Sequence, residues 1–189
     1  MNPNHLWLLP QQFTTQFNAC LEGVDFACKY QTMKEVWDNC PKVSWMLWIA
    51  NKLQLQLDQK AIRLFACWCV RNTPISDSQT VWDLLTDERS RNAVIVAERF
   101  ANGEATIDEL RQARSDAADS YTYAAYAAAA AADAADDAAY AAYAAAAYAD
   151  DAAAAAYAAA YDVDYADAKR KAQLFQADAF RKIIPNPWS

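Results

Sequence analysis

The chain has 189 residues, more than half of them apolar, and a formal net charge of −7. It has two glycines, too few for an all-β protein or a glycine-rich phosphate loop, because both need glycine where the backbone turns at positive φ. Residues 116–167 hold ten aspartates and no Lys or Arg, the residues that bind phosphate groups. We therefore predict an all-α protein whose partners include neither nucleic acid nor a membrane.

The first helix is expected to begin after Pro10. Phe13, Phe17 and Leu21 follow at spacings of four, which predicts that they share one helical face. Gly23 is expected to end or bend this helix.

Two core helices are predicted to follow a short capped helix. Thr32 and Glu35 have the spacing of a capping box, which marks the start of the short helix. Residues 44–57 form a largely apolar stretch that predicts a buried helix. Asp58 is expected to cap a second apolar helix, and Pro74 is expected to stop it.

Three further helix starts are marked by capping residues. Ser78 is expected to cap a short helix, and Asp87 a longer one that ends at Gly103. Thr106 and Glu109 form a second capping box.

Residues 107–168 are rich in alanine, the strongest helix former. As one straight helix they would span roughly 90 Å at about 1.5 Å per residue, too long for a compact domain. Because aspartate favours helix starts over helix interiors, we expect breaks at Asp136-Asp137 and Asp150-Asp151. Two or three helices would then fold back on each other, with tyrosines covering the seams and Tyr157, Tyr161 and Tyr165 forming one stripe.

The predicted architecture is a multi-helix bundle in one continuous domain. Residues 1–110 would form a Trp-rich core, and residues 111–168 an Ala/Tyr/Asp-rich hairpin or array packed beside it. Residues 169–189 would add a C-terminal helix that packs back on the core. No apolar run reaches the ~18 residues of a transmembrane helix.

Few residues point to catalysis or to a cofactor. The five cysteines are an odd number without a paired zinc knuckle, and the sequence begins without a basic, apolar leader, so we predict reduced thiols in the cytoplasm. His5 is the only histidine, and general-base chemistry needs a better placed one. Trp45, Trp48 and Trp68 could line a ligand pocket, but their helical spacing favours core packing. We expect no enzyme, no cofactor and no metal site.

The aspartates and tyrosines of the Ala-rich segment are the candidate binding residues. Aspartates keep an alanine-rich helix soluble and start helices, and the absence of a Gly- and Asn-containing loop argues against a metal role. A third role is a partner-facing acidic surface, because tyrosine supplies rigid contact area and aspartate supplies charge complementary to a basic partner. The candidate partner-binding residues are Asp133, Asp136, Asp137, Tyr140, Tyr143, Asp150 and Asp151.

Several stretches together carry a family resemblance. They include SWMLWIANKL (44–53), FACWCVR (65–71), AVIVAERFANGEATIDELRQAR (93–114) and QADAFRKIIP (176–185). In this order, and with the Ala/Asp/Tyr tract between the last two, the chain resembles an alanine-rich helical family of immunity proteins of bacteria and phages. The resemblance implies a protein that neutralises a toxin by binding it, and it brings no catalytic residues.

Three functions follow as hypotheses. The first is a non-enzymatic inhibitor, an immunity protein or a phage-encoded inhibitor of a bacterial defence protein, which masks a basic surface of its protein target. The second is a protein that sequesters a small molecule such as a signalling nucleotide, for which only the Arg63/Arg71 and Arg89/Arg91/Arg99 regions could supply cations. The third is a homo-oligomeric structural module with alanine faces packed between chains.

Overall fold

The computed structural model describes residues 8–117, 122–133, 138–161 and 164–188. These residues form ten α-helices and one 3-10 helix, Val81–Leu84, and contain no strand, so the chain is all-α as predicted. The α-helices are α1 (Pro10–Gln16), α2 (Leu21–Ala27), α3 (Met33–Asn39), α4 (Val43–Lys52), α5 (Gln59–Asn72), α6 (Glu88–Ala101), α7 (Ile107–Ala117), α8 (Tyr123–Ala131), α9 (Ala138–Tyr161) and α10 (Tyr165–Ile183).

The chain divides into two compact units. The first consists of Met1–Gln56 and Ala177–Ser189, and the second of Leu57–Gln176, so α10 contributes residues to both. The predicted division into three segments of one continuous domain stays a prediction.

The first unit has an aromatic core. Phe13, Trp37 and Phe180 are fully buried, and the rings of Trp37 and Phe180 lie 6.4 Å apart. Arg181 binds the end of α3, because its Nη1 donates to the carbonyl oxygens of Trp37 and Cys40 at 3.3 and 2.8 Å.

The second unit is built around α5. This helix packs against α6, α8 and α9, and α8 and α9 also pack against each other. Alanines of both helices, such as Ala128 of α8 and Ala142 and Ala145 of α9, are fully buried. Their small side chains allow the helix axes to come close together.

Most predicted helix starts are confirmed. Both capping boxes form, with the amides of Glu35 and Glu109 each 3.2 Å from the threonine hydroxyl oxygen three residues earlier. Asp58 and Asp87 cap α5 and α6 as predicted. Gly103 follows α6 with φ at 78°, the left-handed conformation that glycine adopts without strain.

The predicted first helix is wrong beyond Gln16. Asn18 has φ at 53°, a conformation that asparagine tolerates better than most residues, and it separates α1 from α2. Leu21 therefore begins a new helix and is 85% exposed. Gly23 lies inside α2 and does not end it.

The predicted cap at Ser78 is also wrong. Thr80 precedes the 3-10 helix, and its amide donates to the Asp83 carboxylate at 2.8 Å, as in a capping box. The hydroxyl oxygen of Ser76 accepts from the amides of Ser78 and Gln79 and closes the turn before it.

The predicted break at Asp150-Asp151 is wrong, because α9 runs through both residues for 24 residues in all. The Asp136-Asp137 break lies outside the described residues, although α8 ends at Ala131 and α9 begins at Ala138. The predicted tyrosine stripe is interrupted, because α9 ends at Tyr161 and Tyr165 begins α10.

Candidate functional site

Polar side chains from the middle of α9 and the first half of α10 form one cluster. Asp150 and Asp151 lie on α9, and Lys169 on α10 binds both, with Nζ 3.4 Å from Oδ1 of Asp150 and in hydrogen-bond contact with Asp151. The Tyr165 hydroxyl donates to Asp151, and the Gln173 amide donates to Oδ2 of Asp150 at 3.0 Å. Two carboxylates therefore share a single ammonium group.

Asp150 is the least accessible member of the cluster, at 5% exposure. Its Oδ1 is buried and accepts no hydrogen bond, since the contact with Lys169 is a long ion pair. Burial raises the pKa of Asp150 to about 6, although the Gln173 hydrogen bond and the Lys169 charge act in the opposite direction. Burial therefore destabilises the ionised form of Asp150 by more than Gln173 and Lys169 together stabilise it.

The neighbouring groups respond to the same carboxylates. Burial and the hydrogen bond to Asp151 raise the pKa of Tyr165, so its hydroxyl stays protonated as a donor. Burial alone would lower the pKa of Lys169, but the hydrogen bond to Asp151 and the charges of Asp150 and Asp151 together outweigh burial, so the net pKa rises. The cluster is an internal ion-pair network that joins α9 to α10.

A second buried polar contact lies one turn further along α10. Gln176 is 1% exposed, and its amide donates to the Thr73 hydroxyl at 3.0 Å and to the Ala146 carbonyl at 3.2 Å. This side chain links the end of α5, the middle of α9 and α10. Its hydrogen bonds satisfy groups that would otherwise be costly to bury.

The described aspartates among the predicted binding residues are engaged within the protein. Asp150 is buried, Asp151 pairs with Lys169, and Asp133 pairs with Arg114 at 3.3 Å. Asp150 therefore offers almost no accessible surface to a partner, and Asp151 and Asp133 offer little unpaired charge. Asp136 and Asp137 lie outside the described residues.

Tyr140 and Tyr143 are instead open to solvent, at 56% and 47% exposure. They lie one turn apart on α9, and Tyr148 on the same helix is 39% exposed. Residues 138–149, the first half of α9, are all alanine or tyrosine, and Asp150 follows them. Of the predicted tyrosine seams, one is present, because the rings of Tyr126 and Tyr148 lie 5.5 Å apart across α8 and α9.

Sequence reasoning missed the partners of the aspartate pair. Tyr165, Lys169 and Gln173 recur at spacings of four, so they share one face of α10. The reversal of charge at Lys169-Arg170-Lys171 was the available signal, but it could not indicate which basic residue reaches back to α9.

The predicted cationic regions carry paired arginines. Arg71 makes two hydrogen bonds to the Glu98 carboxylate, at 2.5 and 2.8 Å, and stacks on Trp82 with its guanidinium carbon 4.0 Å from the ring centroid. Arg99 lies 3.6 Å from the Glu109 carboxylate. A nucleotide phosphate would have to compete with these carboxylates.

The described residues contain no group of three side chains suited to hold a metal ion. Burial raises the pKa of Cys40 to about 11 and of Cys67 to about 12, and Cys69 shifts in the same direction. Buried thiols with raised pKa values are poor nucleophiles. His5 lies outside the described residues.

The three tryptophans considered as a pocket pack against other rings. Trp45 lies 5.5 Å from Phe26, and Trp48 lies 5.9 Å from Phe13. Trp68 stacks on Phe65 at 5.8 Å with an interplanar angle of 11°.

Comparison with known proteins gives no family assignment: no family model, no curated protein and no solved structure matches the chain. Within the part of the chain that the structure describes, no helix has both the length and the apolar character of a membrane span.

Proposed function

We propose that the chain is a non-enzymatic, cytoplasmic binding protein that inhibits a protein target by masking it. The target would be a toxin, or a bacterial defence protein if the chain is encoded by a phage. The supporting observation is the pair of exposed tyrosines, Tyr140 and Tyr143, on the uncharged first half of α9.

Tyrosine suits this role because its ring contributes a large contact area while only two torsion angles are restricted on binding. Tyr140 and Tyr143 lie on one face of α9, and the other face carries fully buried alanines such as Ala141 and Ala145. The backbone that carries the rings is thus held in place before binding. Prior ordering of this kind lowers the entropic cost of association.

Charge would act at longer range than the tyrosine contacts. Residues 116–167 carry ten aspartates and no basic residue, and the whole chain has a net charge of −7. Internal pairing of Asp133, Asp150 and Asp151 shortens the list of aspartates that could contact a partner directly. The net charge still favours approach of a protein with a basic surface, and this attraction weakens as salt rises.

Affinity capture from bacterial lysates tests the proposal. The tagged protein should retain a discrete protein with a basic surface, and more of it at low than at moderate salt. The Tyr140→Ser/Tyr143→Ser variant should lose this protein, because truncating an aromatic hot-spot residue of an interface costs ~2 kcal/mol or more.

A matched control is Tyr161→Ser, which removes another exposed tyrosine, at 50% exposure, from the far end of the same helix. It should capture the partner as the unaltered chain does. Capture of no protein at either salt concentration, or equal capture by both tyrosine variants, would count against the proposal.

A further inference from the structure

A cavity of about 240 Å³ lies beside the α9–α10 cluster, within the second unit. Its lining includes the small side chains of Ala153, Ala168 and Ala172, and also Ser76 and Asp77 from the turn after α5. Pockets for drug-sized ligands usually measure ~300–1,000 Å³, so this cavity suits a smaller molecule of one or two rings.

Two aromatic rings line the cavity. Phe175 is 40% exposed, and it stacks on Trp68 with the ring centroids 5.3 Å apart and an interplanar angle of 18°. Trp68 stacks in turn on Phe65, so Phe175 is the outermost ring of a fixed stack of three. Tyr157 provides the second ring and is held by a contact with Tyr161 at 4.6 Å.

One ammonium group is held near these rings. Lys171 lines the cavity, and its Nζ lies 5.3 Å from the centroid of the Tyr157 ring, within cation–π range. Among the residues that line the cavity, Lys171 is the single basic one. An anionic group that enters can therefore pair with Lys171 while its own ring stacks on the aromatic side chains.

The turn after α5 adds a hydrogen-bond donor and a negative charge. The Ser76 oxygen already accepts from two backbone amides, so its hydroxyl hydrogen remains available for donation to a ligand. The Asp77 carboxylate repels an anion, and this repulsion favours an orientation with the ligand's negative group towards Lys171.

We propose that this cavity binds a small planar aromatic carboxylate. The ligand's ring stacks against Phe175 and Tyr157, and its carboxylate pairs with the Lys171 ammonium. Neither Tyr140 nor Tyr143 lines this cavity, and its occupancy does not depend on the proposed inhibitory function.

Titration of the purified full chain with indole-3-acetate, followed by saturation-transfer NMR and calorimetry, tests the site. Tryptamine carries the same ring with an ammonium in place of the carboxylate and serves as the charge-reversed probe. Indole-3-acetate should bind, and tryptamine should bind more weakly. Lys171→Met should weaken binding of indole-3-acetate roughly tenfold, the size expected for one lost charge-assisted hydrogen bond.

Two further variants sharpen the result. Asp77→Asn should tighten binding of indole-3-acetate, because it removes a like charge from the cavity edge. Lys182→Met removes one positive charge from the same helix without touching the cavity, and it should leave the affinity unchanged. The proposal is overturned if indole-3-acetate does not bind, if tryptamine binds as tightly, or if Lys171→Met and Lys182→Met have equal affinities.

Discussion

At the scale of single residues, Asp150 combines burial with incomplete pairing. It shares Lys169 with Asp151, and its Oδ1 accepts no hydrogen bond. Between about pH 4 and pH 6 the folded chain binds more protons at Asp150 than the unfolded chain does, because the folded pKa is about 6 and the ordinary pKa of an aspartate is 3.8. The contribution of Asp150 to the free energy of unfolding therefore falls as pH rises through this window.

Asp150→Asn should remove this pH dependence, because asparagine has the same shape and no charge to bury. A shift of two pKa units corresponds to about 3 kcal/mol. The free energy of unfolding of the variant, relative to the unaltered chain, should therefore rise by about 1–3 kcal/mol between pH 4 and pH 7.5. Urea unfolding followed by circular dichroism at several pH values measures it.

The variant is compared with the unaltered chain at each pH, because other carboxyl groups make the free energy of unfolding change with pH in the opposite direction. Hydrogen bonds from backbone amides lower the pKa of Glu35 and Glu109, so their stabilisation is lost as pH falls. Asp167→Asn, an exposed carboxylate on α10, is the matched control. Parallel pH profiles for Asp150→Asn and the unaltered chain would contradict the assigned role of Asp150.

At the scale of helices, the α8–α9 seam depends on the small size of alanine. Ala142 of α9 is fully buried, whereas Ala159 lies exposed near the end of the same helix. Ala142→Leu should lower the free energy of unfolding by about 1–3 kcal/mol, because extra methylene groups do not fit a packed seam. Ala159→Leu should change it by less than about 0.5 kcal/mol, as surface substitutions usually do.

Thermal and urea unfolding of the two alanine variants measures this difference. Both substitutions replace alanine with another strong helix former, so helix propensity changes little between them. Equal stabilities for Ala142→Leu and Ala159→Leu would mean that α9 does not bury the face assigned to it.

Arg181 connects the end of α10 to the end of α3 by hydrogen bonds. Its guanidinium donates to two carbonyl oxygens at the end of α3 and also pairs with Asp178 at 2.6 Å. Arg181→Met keeps the apolar stem and removes the donors, so the free energy of unfolding should fall by about 2 kcal/mol.

Asp178→Asn separates the carbonyl contacts from the ion pair. The Asp178 side chain is 67% exposed, and exposed ion pairs contribute little, so this variant should lose less than about 1 kcal/mol. If Asp178→Asn destabilises the chain as much as Arg181→Met, the hydrogen bonds to α3 are not what Arg181 contributes.

Local signals in the sequence predicted the helices well where a cap or a stop is encoded within a few residues. Thr32-Glu35, Asp58 and Gly103 did so because their hydrogen bonds or backbone angles are set by immediate neighbours. Asp150-Asp151 misled because the alanines on both sides favour a continuous helix, and Lys169 and Gln173 of α10 supply partners for the two carboxylates. Lys169 lies 19 residues from Asp150, and no local rule connects them.

The residue types of the candidate site could be predicted from the sequence, but which of these side chains are buried and which are exposed could not. Helix α9 consists of alanine, tyrosine and aspartate alone, so hydrophobic periodicity gives almost no indication of which face is buried. Packing of α9 on α5 and α8 decides this, placing Asp150 inside and Tyr140 outside. Among the described candidate residues, Asp133, Asp150 and Asp151 are paired within the chain, and Tyr140 and Tyr143 are exposed.

At the scale of the whole molecule, net charge and exposed rings have separate roles in the proposed binding. The charge of −7 affects how fast a basic partner approaches, and the rings of Tyr140 and Tyr143 affect how long it stays. Raising salt should therefore slow association while leaving the dissociation rate nearly unchanged. Truncating the two tyrosines should instead raise the dissociation rate and leave the association rate nearly unchanged.

The most direct test measures the association and dissociation rates of the captured partner by biolayer interferometry with purified proteins. The account predicts that Tyr140→Ser/Tyr143→Ser raises the dissociation rate at least roughly 30-fold, corresponding to ~2 kcal/mol, while Tyr161→Ser leaves it unchanged. A double variant that binds with the rates of the unaltered chain would contradict the claim that this face of α9 holds the partner.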